Sequence, residues 1–251
     1  MRIFGGICIC GILAIGLLAC GGPVGETAPP VIVVGDFANP PFSSWNEARE
    51  PVGIEVEILN MAGEALGRPI EWRELTFAEM LPAVEDKTAH IAASTIGITE
   101  ERARRVRFTE SYHRTELSVV VRTGAGEPVG LAELSGVPVG AGRATTSEDA
   151  VRRSLPEATL VVERKDDVTF GEMLLAGTLA AIVMDRPAAK RLVDEHPEQM
   201  RILEDDLGVE LYAFAVHPDD VEISGAIDTV ILHLRDEGWF ERWTAGHDGL
   251  D

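Results

Sequence analysis

The sequence predicts an α/β protein of two lobes joined by a two-strand hinge. Short apolar runs of strand length alternate with segments of helical spacing, the pattern of a parallel sheet with helices on both sides. The alternation breaks at a β-rich stretch over residues 116–122, which ends in Thr123-Gly124-Ala125-Gly126, and then begins again. A second extended stretch, 210–216, is followed by helices that have no sheet of their own to cover. The economical path enters a second lobe through Val119–Arg122 and returns through Leu211–Val216. Residues 31–121 and 213–251 then form lobe 1 and residues 122–212 form lobe 2, with the cleft between them as the natural ligand site.

Val31-Ile32-Val33-Val34 is wholly apolar, as a strand covered on both faces must be. Ile54, Ile58, Met61, Ala62 and Ala65 recur at helical spacing, and Gly67 stands where a helix C-cap belongs. Ile70–Arg73 is the next strand. Thr76 and Glu79 have the spacing of a capping box, ahead of a helical face made by Phe77, Met80, Leu81 and Val84. Ile91–Ser94 is a third short strand, and Thr99 opens a short helix that carries Arg102. Past the first extended stretch, strands are expected over 137–141, 159–162 and 179–184. Helices are expected from Thr145, over 170–176 and after Pro187. Val221, Ile227, Val230, Ile231 and Leu234 mark a closing helix ended by Gly238, with a last short helix over 239–243.

The 251 residues carry a formal net charge of −20. Such a surface repels phosphate, which argues against nucleic acid and anionic phospholipid as partners. Residues 1–19 hold Arg2, no acid and a long apolar run, and they end at Leu17-Leu18-Ala19-Cys20. This resembles the lipobox of bacterial lipoproteins, where the Cys sulfur receives a diacylglyceryl group and the chain is cut before it. The resemblance implies a signal peptide over 1–19, lipidation at Cys20, and a lipid anchor at the periplasmic face or cell surface. A transmembrane anchor is the competing reading of the same run. Removing 1–19 takes away Arg2 and moves the charge from −20 to −21. Residues 20–30 then read as a flexible tether. Cys8 and Cys10 leave with the signal, so the mature chain keeps Cys20 alone, with no internal disulfide and no thiolate metal site. No metal or cofactor is implied.

Seven stretches, in order, resemble one family. Asp36-Phe37-Ala38-Asn39-Pro40-Pro41-Phe42 is similar to its opening strand and loop, and Val52-Gly53-Ile54-Glu55-Val56-Glu57-Ile58 to its first helix start. Ile98-Thr99-Glu100-Glu101-Arg102, then Phe108-Thr109-Glu110-Ser111-Tyr112, resembles an "ITxxR…FTxPY" signature. Ala144-Thr145-Thr146-Ser147-Glu148, Ile182-Val183-Met184-Asp185-Arg186-Pro187 and Leu234-Arg235-Asp236-Glu237-Gly238-Trp239 complete the set. The family is the extracytoplasmic solute-binding proteins of ABC importers, polar amino-acid class, family 3. The resemblance implies a periplasmic-binding-protein-like (type II) fold and a monomer that captures an amino acid or similar small zwitterion. It would deliver that ligand to an ABC permease with a separate ATPase.

A free amino acid presents a carboxylate and an ammonium that both lose water when a cleft closes, so each needs a fixed opposite charge. The resemblance assigns the carboxylate to Arg102, beside the sheet edge carrying Ser94, Thr95 and Gly97. By spacing alone Arg102 also reads as a solvated Arg in Arg102-Ala103-Arg104-Arg105. Thr145 and Thr146 open a helix whose free N–H groups suit the same carboxylate from the other lobe, and Thr145 with Glu148 also reads as a plain capping box. Asp185 takes the ammonium by resemblance and is a helix N-cap by position. Phe77 is an apolar ligand wall or ordinary core, and Asp36 a contact for a cationic side chain or a turn residue. Arg143 adds a cation that suits a second acidic group on the ligand. Three residues depart from the family pattern: Asn39 replaces a lid aromatic, Gly97 a hydroxyl residue that bonds ligand, and His90 an Asp. Two alternatives stay open: an accessory or sensory solute-binding module, and a cyclohexadienyl-dehydratase-like enzyme using Glu116, Glu172 or Asp185 as the proton donor.

Overall fold

The computed structural model describes residues 28–162 and 168–247. Residues 1–19, Cys20 and most of the tether therefore lie outside the described residues. The chain opens with β1 (Val31–Gly35), in which Val31, Val33 and Val34 are buried. Where the sequence suggests only a loop, a small antiparallel sheet forms from β2 (Ala38–Asn39), β3 (Ser43–Trp45) and β4 (Pro51–Val52), with a cis Pro40-Pro41 peptide. These strands are too short to carry a period-2 pattern. α1 (Ile54–Leu66) ends at Gly67, whose φ of 62° is open to glycine without a side-chain clash. Then come β5 (Ile70–Glu74), α2 (Phe77–Glu85), β6 (Ile91–Ala92), α3 (Glu100–Ala103) and β7 (Arg107–Phe108).

β8 (His113–Arg122) carries the chain across. It is followed by a 3₁₀ turn at Leu131–Leu134, β9 (Pro138–Gly140), α4 (Thr146–Ser154), β10 (Thr159–Val161), α5 (Phe170–Leu175), β11 (Ala181–Asp185) and α6 (Arg186–Glu195). β12 (Met200–Tyr212) returns, and β13 (Ala215–Val216), α7 (Val221–Asp236) and α8 (Trp239–Ala245) complete the described chain.

Two five-stranded sheets result, ordered β5-β1-β6-β13-β7 and β10-β9-β11-β8-β12. Each contains a parallel trio, β5-β1-β6 and β10-β9-β11, extended by antiparallel strands. In the first sheet, α1 and α7 cover one face through Ile54, Ile58, Ile227 and Ile231, and α2 covers the other through Met80, Leu81 and Val84. In the second, Val119 and Val121 of β8 face α4 while Val120 faces α5 and α6, as the alternation of a strand requires. Each such aliphatic side chain contributes roughly 1.5–3 kcal/mol on burial.

β8 and β12 pair antiparallel from His113–Tyr212 to Arg122–Met200, with breaks in register around Asp206. Residues Leu117 to Val121 already pair with β11 inside the second sheet, so the first crossing lies before Leu117 and not at 121/122. The strand was expected to begin at 116 and 210 on its two passages. β8 starts three residues earlier, and β12 starts at Met200, because the exposed edge residues Glu204, Asp205 and Asp206 mask the apolar alternation there.

Candidate functional site

Between the lobes lies a cleft of about 550 Å³. Asp36, Asn39, Phe77, Ser94, Thr95 and Gly97 line it from lobe 1, and Arg143, Thr145, Thr146 and Asp185 from lobe 2.

The lobe 1 wall is built at the C-terminal ends of β1 and β6. Ser94 Oγ donates to Asp36 Oδ1 at 2.5 Å, and Asn39 Nδ2 donates to Thr95 Oγ1 at 2.6 Å. The Thr95 amide donates to Glu55 Oε1 at 2.7 Å, and the Tyr112 hydroxyl donates to the same oxygen. Glu55 is thus a buried support for the wall, and loss of water pushes its carboxyl above the ordinary range despite those bonds. Thr95 and Phe37 in this wall, and Ala144 opposite, hold positive φ of 45°, 49° and 60°. Such backbone costs energy in non-glycine residues and is held only by surrounding structure, as at binding sites.

Phe77 begins α2 under the Thr76–Glu79 capping box. The Arg102 amide is received by Thr99 Oγ1, and its guanidinium lies 5.5 Å over the Phe77 ring. Arg102 does not line the cleft directly. It lies buried behind Gly97, donating to Gly97 O at 2.7 Å and across the lobes to Ala144 O at 2.9 Å.

The lobe 2 wall is the start of α4. Thr145 Oγ1 receives the Glu148 amide at 3.3 Å, while Glu148 Oε2 receives the amide of Ala144 at 2.7 Å, one residue before the one a capping box would use. Thr146 and Ser147 therefore present the helix N-terminus to the cleft with its positive dipole end. Asp185 is the N-cap of α6 by position, yet its side chain makes no cap bond and instead accepts the Tyr212 hydroxyl. The residue is half-buried at the edge of the cleft. Loss of water raises its pKa, and Tyr212, Glu210 and Arg102 pull it the other way.

Sequence reasoning missed four residues. Phe170 faces the cleft from α5 as Phe77 does from α2, and the repeated Thr-Phe-x-Glu-Met at 76–80 and 169–173 is the signal that finds it. Tyr212 and Glu210 project from β12, and Arg191 of α6 donates to Asn39 Oδ1 at 3.1 Å across the lobes. Nothing local in sequence marks these three. Burial and Asp185 push Glu210 up to about 8.

The departures acquire physical reasons. Asn39 ties Thr95 to Arg191, bridging the lobes with its amide. His90 Nδ1 receives the Ile32 amide at 2.9 Å, clamping β1. A Cβ on Gly97 would lie 2.1 Å from Glu210 Oε1. Of the acids considered as proton donors, Glu172 is spent in the Thr169 cap and Glu116 stands 3.8 Å from Arg186. Among the described residues no His, Cys, Asp or Glu group is placed to hold a metal ion.

Two lobes with a cleft between them that combines apolar walls with a few charged and hydroxyl groups define a binder of small solutes. This chain belongs to the bacterial extracellular solute-binding proteins, family 3, whose sequence profile matches residues 31–246. It is similar to the L-arginine-binding protein of Pseudomonas aeruginosa, 27% identical over 249 residues that cover 94% of this chain and 93% of that one. Arginine-bound, truncated ArgBP from T. maritima is 26% identical with a TM-score of 0.72, over 81% of this chain and 95% of that one. The substrate binding protein of an amino acid ABC transporter is 25% identical with a TM-score of 0.75, over 86% and 96%.

Proposed function

We propose that this chain captures a free amino acid with a cationic side chain, such as arginine, and delivers it to an ABC permease driven by a separate ATPase. The observation that carries this reading is the pair of carboxyl groups, Asp36 and Asp185, that face one cleft from opposite lobes. A basic amino acid has two positive groups and one negative group, and this cleft offers an acid for each positive one. Asp185 meets the α-ammonium, Asp36 the side-chain cation, and the Phe77 and Phe170 rings the aliphatic stem. The α-carboxylate meets the Thr145–Thr146 helix start, with Arg102 supplying positive charge from behind. Among the described residues the cleft lining holds two acids, Asp36 and Asp185, and one cation, Arg143, which turns the reading away from an acidic ligand.

A ligand held by both walls favours the closed state, which Arg102–Ala144 and Arg191–Asn39 also bridge. The test is a thermal-shift screen of the free amino acids with the chain lacking residues 1–20. Basic amino acids are expected to raise the melting temperature most, and a screen without any shift ends the proposal. We read the protein as a binder and not an enzyme. The desolvated acids Asp185 and Glu210 are what a dehydratase would need, so incubation with prephenate or arogenate, expected to give no aromatic product, checks this.

The family is extracellular, and among the described residues no helix is long and apolar enough to cross a membrane. Anchoring through acyl chains on Cys20 is part of the proposal. Cys20→Ser is expected to abolish labelling by fatty acid and release the protein from membranes.

A further inference from the structure

We infer that Glu210 is a further specificity-determining residue: its carboxyl fills the place of the side chain absent at Gly97, adds a second acid behind Asp185, and releases a proton when a cationic ligand group docks there. This rests on the proposed capture of a basic amino acid.

The geometry starts at Gly97. A Cβ there would lie 2.1 Å from Glu210 Oε1 and 3.0 Å from Thr146 Cγ2. The carboxyl therefore occupies the volume of the missing side chain. Gly97 and Thr146 both line the cleft, so the carboxyl sits just beneath its wall. Glu210 is 7% exposed, and its carboxyl stands against the Thr146 hydroxyl and the Asp185 carboxyl, with no backbone amide or cation donating to it among the described residues.

An ionised carboxylate in that position, buried beside a second acid and with a single hydroxyl as donor, is disfavoured. Six charged or titratable groups face it: Arg102 and Glu101 from α3, Asp149 and Arg153 from α4, Asp185 at the end of β11, and Tyr212 on its own strand. Thr115, its partner on β8, does not titrate. Arg102 already donates to two carbonyls, and Asp185 repels a second negative charge. The neutral acid is therefore the resting form, in keeping with the rise to about 8. An ammonium or guanidinium held by Asp185 supplies the missing positive charge. Glu210 then ionises, and its proton passes to solvent.

Calorimetry of L-arginine binding to the full chain in detergent, run near pH 7 in two buffers of different ionisation enthalpy, tests this. Release of up to one proton per ligand is expected, with Kd falling by up to about tenfold per pH unit as pH rises towards the Glu210 pKa. Glu210→Gln should remove the release and flatten the pH profile. Gly97→Ser should weaken binding by displacing the carboxyl, and adding Glu210→Ala to it should recover affinity. Should Glu210→Gln fail to fold, the two-buffer comparison of the wild type decides alone. Wild-type binding without proton release, or release that persists in Glu210→Gln, overturns the inference and leaves the proposed function intact. Absence of binding to every free amino acid overturns both.

Discussion

Lobe 1 threads β1, α1, β5, α2 and β6 into the order β5-β1-β6, and lobe 2 threads β9, α4, β10, α5 and β11 into the order β10-β9-β11. The correspondence reaches individual residues. Capping boxes at Thr76–Glu79 and Thr169–Glu172 each set a Phe against the cleft. Past each helix a residue with left-handed backbone, Lys87 or Gly177, precedes a Thr whose hydroxyl donates to the carbonyl of Ala83 or Met173. The lobes part company in the link after the first strand. In lobe 2 the chain turns at once into α4, whose start faces the cleft. In lobe 1 the small sheet β2–β4 intervenes, and the second residue of α1 is the buried acid Glu55 where α4 has Ser147. Lobe 1 thus offers a wall of side chains that hold one another, while lobe 2 offers a helix end. One frame can serve both, because the frame needs only its apolar face and leaves the loop ends free.

The largest test of this contrast lies in the cores. Lobe 1 buries Phe42, Tyr112, Tyr212 and Phe214 together, whereas the buried members of the lobe 2 clusters are Leu, Val, Ile, Ala and Met. Phe214→Ala is expected to cost about 3–5 kcal/mol in urea unfolding. Arg102→Ala removes a link between the lobes and the charge behind the carboxylate site. It should abolish ligand-induced stabilisation, which for the wild type is about 2.7 kcal/mol at a ligand concentration a hundred times Kd. If ligand still raises the melting temperature normally, the role given to Arg102 fails.

Smaller changes compare equivalent positions. Gly177→Ala places a Cβ at a φ of 75° and should cost roughly 1–2 kcal/mol. Lys87→Gly relieves the same conformation but loses an exposed ion pair to Asp219, so it should raise stability by less. Thr76→Ala and Thr169→Ala should each cost about 1 kcal/mol, and a large inequality would show the two capping boxes are not equivalent. Glu55→Gln gives the smallest effect, visible only against pH. Because the folded-state pKa of Glu55 lies above its unfolded value, the stability it lends is full at low pH and lost as pH rises through the folded pKa. The variant should therefore lose less stability than the wild type between acidic and neutral pH, as read from melting temperatures.

Most of the frame was legible because helical and strand periods survive in any sequence that must bury one face. Val31–Val34, Phe77–Val84 and Val221–Leu234 are examples where the apolar positions alone dictate the element. The mini-sheet and the first half of β12 were not, since short or edge strands are stabilised by pairing with distant residues and carry little local signal. The site divides in the same way. Motif positions such as Asp185 and Thr145 stand out in the chain, whereas Glu210 and Arg191 look like ordinary charged residues on a strand and a helix.

The order of strands and helices, the caps that start α2 and α5, and the acidity of the surface are local properties, dictated by side-chain period, backbone preference and charge count. Which acids meet across the gap between lobes is another matter. That Glu210 lies against Gly97, that Tyr212 takes the carboxyl of Asp185 away from its helix cap, and that Arg102 binds two carbonyls all depend on chain segments far apart in sequence. Hydrogen bonds and desolvation act over a few ångströms of space, and only the folded chain decides which residues share them.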